Sequence, residues 1–97
     1  MSDIIYLMSE QTQTDDMLIE RTYMLQKQVF AEVSSISASE FHSSRQNGLM
    51  PEYKFNVFFG DYDGEKIIMY NNEYYNIYRT YRNGDIVELY AEGKNGI

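Results

Sequence analysis

The dipeptide Asn83-Gly84 separates two runs, YYNIYRTYR (74–82) and DIVELYAE (85–92), that read as strands. Asn-Gly takes the positive φ values of a tight two-residue reversal at little steric cost, so the runs return beside each other as an antiparallel hairpin. Similar punctuation recurs upstream. Asp63-Gly64, within GDYDGE, is a hairpin signal between EYKFNVFF (52–59) and EKIIMY (65–70), and Asn71-Asn72 turns the chain again before residue 74. In 52–59, Tyr53, Phe55, Val57 and Phe59 fall on one face, with Lys54 and Asn56 opposite.

The N-terminal half adds two strands. Residues 3–9, DIIYLMS, read as one. Residues 22–36 read as a longer one. Val29, Ala31 and Val33 alternate with Gln26, Gln28, Glu32 and Ser34, so one face is buried and one is wet. The acidic stretch 10–21 between them reads as an exposed loop or long hairpin tip. Residues 93–97, GKNGI, read as a frayed tail.

One segment breaks the pattern. Ser37 followed by Glu40 is a capping box, which starts a helix. Asn47-Gly48 ends it in the left-handed conformation, and Pro51 prevents its resumption. The helix is expected over 38–47. The expectation is thus a mainly β chain: a small antiparallel β-barrel of about six strands, with one short helix or long loop inserted between the second and third. Closure into a barrel removes the free edges that short antiparallel strands would expose. Ninety-seven residues leave room for one core, so residues 1–97 are expected to form a single domain.

Charge and composition narrow the functional classes. The formal net charge is −7, and Lys and Arg are scattered at 21, 27, 45, 54, 66, 79, 82 and 94. That leaves no basic cluster to neutralise a run of phosphates. The absence of Cys excludes disulfides and thiolate metal sites, and fits folding in a reducing cytosol. No stretch reaches the roughly twenty apolar residues that span a bilayer. The N-terminus, with Asp3 and no basic region, is unlike a secretory signal. His42 is the only His and is expected on the surface. Aligning DYDGE with a calcium loop puts Phe59 and Tyr70 where acidic oxygens are needed. There is no G-x-S-x-G, P-loop or dinucleotide-binding motif, and a β-domain this small has little volume for a deep cleft. No enzyme and no cofactor are expected. The Tyr and Arg of 74–82 resemble a stacking platform for single-stranded nucleic acid, but without a basic groove they read better as core on one face and protein contact on the other.

The helical segment then becomes the candidate site. A helix of about ten residues is marginal in water without an apolar stripe against a core. Here Phe41 stands nearly alone, with Ala38 a turn before and Arg45 a turn after. Either the segment is a surface helix or a neighbouring chain completes its burial. In the second case Phe41, Arg45 and Gln46 are contact residues, with Leu49 and Met50 as further anchors.

Four motifs in order, S-x-x-E-F (37–41), Q-x-G-L-x-P-E (46–52), Y-x-G-E (62–65) and Y-x-I-Y-R-T-Y (75–81), resemble the head-closure proteins of long-tailed bacteriophages, also called head–tail joining or stopper proteins. The resemblance covers about residues 3–93. Met50 departs from it, standing where many relatives are expected to carry a basic residue. The resemblance implies a structural virion protein of the neck: a small β-barrel assembling in the host bacterial cytoplasm into a ring, about twelvefold by portal symmetry. It further implies contact with the portal and adaptor ring above and a tail-completion protein below, and passage of double-stranded DNA without specific binding. By the same resemblance, the segment after the second strand, about 37–52, projects into the channel. Phe41, Arg45, Gln46, Leu49 and Met50 would then meet adjacent subunits or line it. The other readings are a small nucleic-acid-binding barrel, and a tail-completion or adaptor protein of the same virion.

Overall fold

A computed structural model describes residues 2–93. Six antiparallel strands close into a barrel in the order β1-β2-β3-β6-β5-β4. They are β1 (Ser2–Thr14), β2 (Glu20–Ser35), β3 (Pro51–Phe58), β4 (Ile67–Tyr70), β5 (Glu73–Asn83) and β6 (Ile86–Gly93). One helix, α1 (Ala38–Gln46), lies between β2 and β3, as the caps and the strand count imply. The seam that closes the barrel is short: Tyr6, Leu7 and Met8 of β1 pair with Met69, Ile68 and Ile67 of β4.

Every strand contributes its inward face to one core. Ile5 and Leu7, Val29 and Ala31, Phe55 and Val57 come from β1 to β3; Ile68, Tyr75, Val87, Leu89 and Ala91 come from β4 to β6. Alternation produces this, because successive side chains on a strand point to opposite faces. The ring-rich part of the core is a knot of Tyr53, Phe55, Tyr70 and Tyr75, whose centroids lie 5.5 to 6.5 Å apart at tilted or edge-on angles. Such geometry adds about 0.5–1.5 kcal/mol per pair beyond area burial.

Asp63-Gly64 turns the chain but closes no hairpin: β3 pairs with β2 and β6, and β4 with β1 and β5, so the 59–66 segment crosses between strands that are not neighbours. The Asn71-Asn72 turn is as expected. Asn71 and Asn72 both have positive φ, 51° and 63°, and join Tyr70 to Glu73 in a two-residue reversal. At the last hairpin Asn83 pairs with Ile86, so the reversal is Gly84-Asp85, one residue later than the Asn83-Gly84 reading. Gly84 occupies its first central position with φ 65°. Strand β4 begins at 67 rather than 65, because Glu65 belongs to the preceding turn. There its carboxylate accepts from the Asp63 amide at 2.7 Å, and its carbonyl accepts from the Tyr62 hydroxyl at 2.8 Å. Phe59 does not continue the inward face of β3. The strand stops at Phe58, and Phe59 opens a single 3-10 turn (Phe59–Asp61) whose first amide bonds to the Asp85 carbonyl at 2.7 Å. Of the expected frayed tail, Gly93 is in β6 and residues 94–97 lie outside the described residues.

At the other end, of the two readings of residues 10–21, loop or long hairpin tip, the structure has the hairpin: the segment is mostly strand and exposed. β1 and β2 stay paired from Ser9↔Leu25 out to Thr14↔Glu20, well past Met8, where β1 leaves the barrel seam. At about 3.4 Å per residue, the six residues Ser9 to Thr14 carry the hairpin roughly 20 Å outward. The molecule accordingly measures 52 Å along its longest axis against 30 and 23 Å across.

Candidate functional site

The segment 37–52 is built by its caps. The Ser37 hydroxyl accepts from the Glu40 amide at 3.3 Å. At the other end, the Gly48 amide bonds to the Arg45 carbonyl and the Leu49 amide to the Ser44 carbonyl, both at 3.0 Å. Gly48 has φ 80°, which completes a Schellman stop.

Half of the expected capping box is diverted. The Glu40 carboxylate reaches across to β5 instead of back to the Ser37 amide. One oxygen accepts from the Tyr78 hydroxyl at 3.1 Å, from Arg79 Nε at 3.2 Å and from the Ser44 hydroxyl at 3.4 Å. The other lies 2.9 Å from an Arg79 terminal nitrogen. Consecutive residues of a regular strand would point to opposite faces. A register shift between Ile77 and Arg79 lets both Tyr78 and Arg79 reach the same carboxylate. The Arg79 guanidinium also sits 4.2 Å over the Tyr90 ring. Burial works against its charge, and the Glu40 carboxylate outweighs that and holds Arg79 above its ordinary range. Ser44 is the one buried residue of α1. The helix is therefore fastened through polar side chains, an anchor that a search for an apolar stripe overlooks.

The five residues assigned to the site divide. Phe41 is 44% exposed and touches the exposed His42 edge-on at 6.1 Å. Arg45, Leu49 and Met50 come together: Arg45 donates to the Leu49 carbonyl at 3.4 Å and its guanidinium meets the Met50 sulfur. Phe41, Arg45 and Met50 line a shallow cleft with Pro51, Glu52 and Gly93. Gln46 is exposed on the last turn of α1. The loop is also tied to β6, since the Met50 amide donates to Glu92 at 3.0 Å. Among the described residues, no three His, Asp or Glu gather where they could hold a metal ion, and no helix is long and apolar enough to cross a membrane.

The more prominent feature is the β1–β2 arm, which the sequence reading left without a role. Every residue from Glu10 to Gln26 is exposed. Its tip is a built turn. Asp15 accepts from the amides of Met17 and Ile19 at 2.9 and 3.0 Å, and its carbonyl accepts from the Leu18 amide at 3.0 Å. The turn holds Met17 and Leu18 out to solvent, 79% and 84% exposed, and Leu18 is left-handed with φ 62°. At the root, Lys27 bridges the Asp63 and Glu65 carboxylates at 2.7 and 3.0 Å, joining the arm to the 61–66 turn. The missed signal was Met17-Leu18-Ile19, three large apolar residues in succession inside an otherwise polar stretch.

No protein-family model matches the chain, and no curated protein matches its sequence. Geometry and sequence therefore carry the functional reading.

Proposed function

We propose that this chain is a structural assembly protein of a bacteriophage neck, a head-closure component that joins protein surfaces in a ring. One observation carries the assembly part of the reading: a two-stranded arm, exposed along its whole length, presents Met17 and Leu18 at its tip. An isolated two-stranded hairpin is at best marginally stable in water, so such an arm gains most when another surface receives it. Large apolar side chains held clear of the core fit a protein partner better than a small ligand. The barrel supplies the rigid frame, and α1 with its loop adds the second contact region through Phe41, Leu49 and Met50.

The ordered motifs of residues 37–81, and their likeness to head-closure proteins, narrow assembly to the phage neck. The acidic balance is compatible with it. A ring of about twelve copies would concentrate negative charge, and DNA would pass a surface of like charge with little adhesion. The partners on this reading are further copies of the chain, an adaptor or portal ring, and a tail-completion protein.

Deleting the gene from its parent phage or prophage tests the reading. The expected particles are capsids that fail to retain DNA, beside unattached tails, with restoration by a plasmid copy. Intact infectious virions from the deletion strain would overturn it.

A further inference from the structure

A second apolar surface lies on the outside of the barrel. Ile4 pairs with Phe30 across β1 and β2, and Phe58 pairs with Ile86 across β3 and β6. The β2–β3 register, with Ala31 opposite Val57, sets Phe30 beside Phe58 one step further along. All four side chains are exposed, Phe30 by 65% and Phe58 by 54%. The Phe58 ring lies over Gly60, where an added Cβ would come within 2.5 Å of it, so the glycine leaves the ring its seat on the surface. The two flanks of this row differ in charge. On one, Glu32, Asn56 and Glu88 stand in register across β2, β3 and β6. Glu32 is exposed and forms no ion pair among the described residues. Glu88 accepts from the Tyr90 hydroxyl at 2.7 Å and lies 3.9 Å from Lys54. On the other flank, Tyr6 and Gln28 pair and are uncharged. Arg82 does not offset the carboxylates, since it pairs with inward-facing Val87 and its Nε donates to the Gly84 carbonyl at 3.0 Å.

We infer that this row receives an amphipathic helix of another protein, its apolar stripe lying along Ile4, Phe30, Phe58 and Ile86 and its Lys or Arg residues on the edge that faces Glu32 and Glu88. Length and charge select this occupant. Four strands about 4.8 Å apart make a row roughly 14 Å long, the rise of about nine or ten helical residues. A helix laid across a sheet is an ordinary way to bury an apolar sheet face. Glu32, without an ion-pair partner among the described residues, makes the flank complementary to a cation and unfavourable for a carboxylate. The same carboxylates repel phosphates, which argues against nucleic acid and anionic lipid. A second copy offers no such helix. Its α1 carries one large apolar residue, Phe41, and is fastened to β5 through Glu40 and Arg79. At a net charge of −7, another copy also brings mostly like charge to this flank. Four apolar side chains make a small contact, below the size of stable pairwise complexes, so the expected affinity is micromolar.

The full chain, labelled with nitrogen-15, is titrated with a hydrocarbon-stapled peptide helix that carries one Leu stripe edged by Lys. A second peptide has Glu in place of each Lys, and a third has Ser in place of each Leu. The Leu–Lys helix should shift the amide resonances of residues 28–32, 56–58 and 86–88 and leave those of the arm tip, 15–19, in place. The other two peptides should bind at least about tenfold more weakly. Phe30→Ser should lower affinity for the Leu–Lys helix about tenfold, and because Phe30 is exposed its spectrum should otherwise match that of the unsubstituted chain. Glu32→Lys tests the charge at a side chain that has no ion pair to lose. It should weaken binding of the Lys-edged helix about threefold and strengthen that of the Glu-edged one by a similar factor. Shifts centred on the arm or on α1, unchanged affinity in Phe30→Ser, or equal affinity for the Lys-edged and Glu-edged helices would overturn the inference. So would shifts of the row's amides when the chain is concentrated without peptide, which would make a second copy the occupant. Intact virions from the gene-deletion strain would remove the neck reading and leave these titrations unaffected.

Discussion

Glu40 on α1 and Arg79 on β5 form a two-point ion pair across 39 residues of chain. The planar guanidinium matches the carboxylate fork, a geometry that a lysine at 79 would not reproduce. The pair decides what α1 is. A nine-residue helix with one exposed Phe has too little apolar surface to stay docked by burial, and this contact, with Tyr78 and Ser44, does the fastening instead.

Glu40→Gln retains the shape and some hydrogen bonding but removes the charge. Because Arg79 is about half exposed, solvent screens the pair, and the expected cost to global stability is only about 1 kcal/mol. The local effect is larger. Amide exchange over 38–46 should accelerate well beyond that of the barrel strands. Phe41→Ala, by contrast, should shift the urea midpoint by less than about 1 kcal/mol equivalent, because the ring is half in water, while weakening assembly. Unfolding of the monomer by Phe41→Ala would show that the ring is core.

Phe55 has no exposed surface and touches the rings of Tyr53, Tyr70 and Tyr75. Phe55→Ala removes the centre of that knot and leaves a void the rigid barrel cannot collapse into. The expected loss is about 3–5 kcal/mol by urea denaturation, against less than about 1 kcal/mol for Phe59→Ala. Equal costs would place Phe59 in the core, as simple alternation along β3 implies.

The contrast between Phe55 and Phe59 shows how far the sequence can be read. Alternation correctly assigns Val29, Ala31, Phe55 and Val57 to the core because pleat geometry is local. It fails at Phe59 because a strand's end is set by its neighbour, here the Asp85 carbonyl that captures the Phe59 amide. The helix caps were legible for the same local reason. The Glu40 anchor was not, since it needs a bulge 39 residues away that no local pattern announces. For the arm the sequence left two readings of 10–21 open, an exposed loop or a long hairpin tip. Its polar residues 10–16 carry no strand signal of their own, and the hairpin forms because β2 runs on opposite them. Register also sets an exposed apolar row on the outside of the barrel: Ile4, Phe30, Phe58 and Ile86 are far apart in sequence and come side by side only once four strands align.

Alkaline pH should unfold the chain in a characteristic way. Burial raises Tyr62, Tyr70 and Tyr75 above the ordinary tyrosine value near 10, with carboxylates of Glu65, Asp3 and Glu73 adding to it. Burial also leads for Tyr78, opposed by Ser44 and reinforced by Glu40, and for Tyr90 the hydrogen bond to Glu88 comes first and burial second. At Lys27 burial lowers the value, but Asp63 and Glu65 together raise it. In every case the folded chain holds its proton more tightly than the unfolded one. This stabilisation is complete below pH 10 and is lost as pH climbs through the raised folded values. Stability should therefore be insensitive to these groups near neutrality and fall steeply above about pH 10. Tyrosinate absorbance should show five of the ten tyrosines ionising late, together with the loss of far-ultraviolet dichroism. A single smooth titration of all ten near their ordinary value would contradict it.

Leu18→Asn separates folding from assembly at one position. Leucine at φ 62° bears a backbone cost of about 1–2 kcal/mol that asparagine largely avoids. The side chain is 84% exposed, so the monomer loses almost no burial in exchange. The monomer should become more stable by up to about 1 kcal/mol in urea, while association measured by sedimentation should weaken. A purely structural turn has no reason to retain a residue that costs stability, so opposite signs in the two measurements are the signature of a tip kept for its contact. A less stable monomer with unchanged association would mean that Leu18 serves the fold alone.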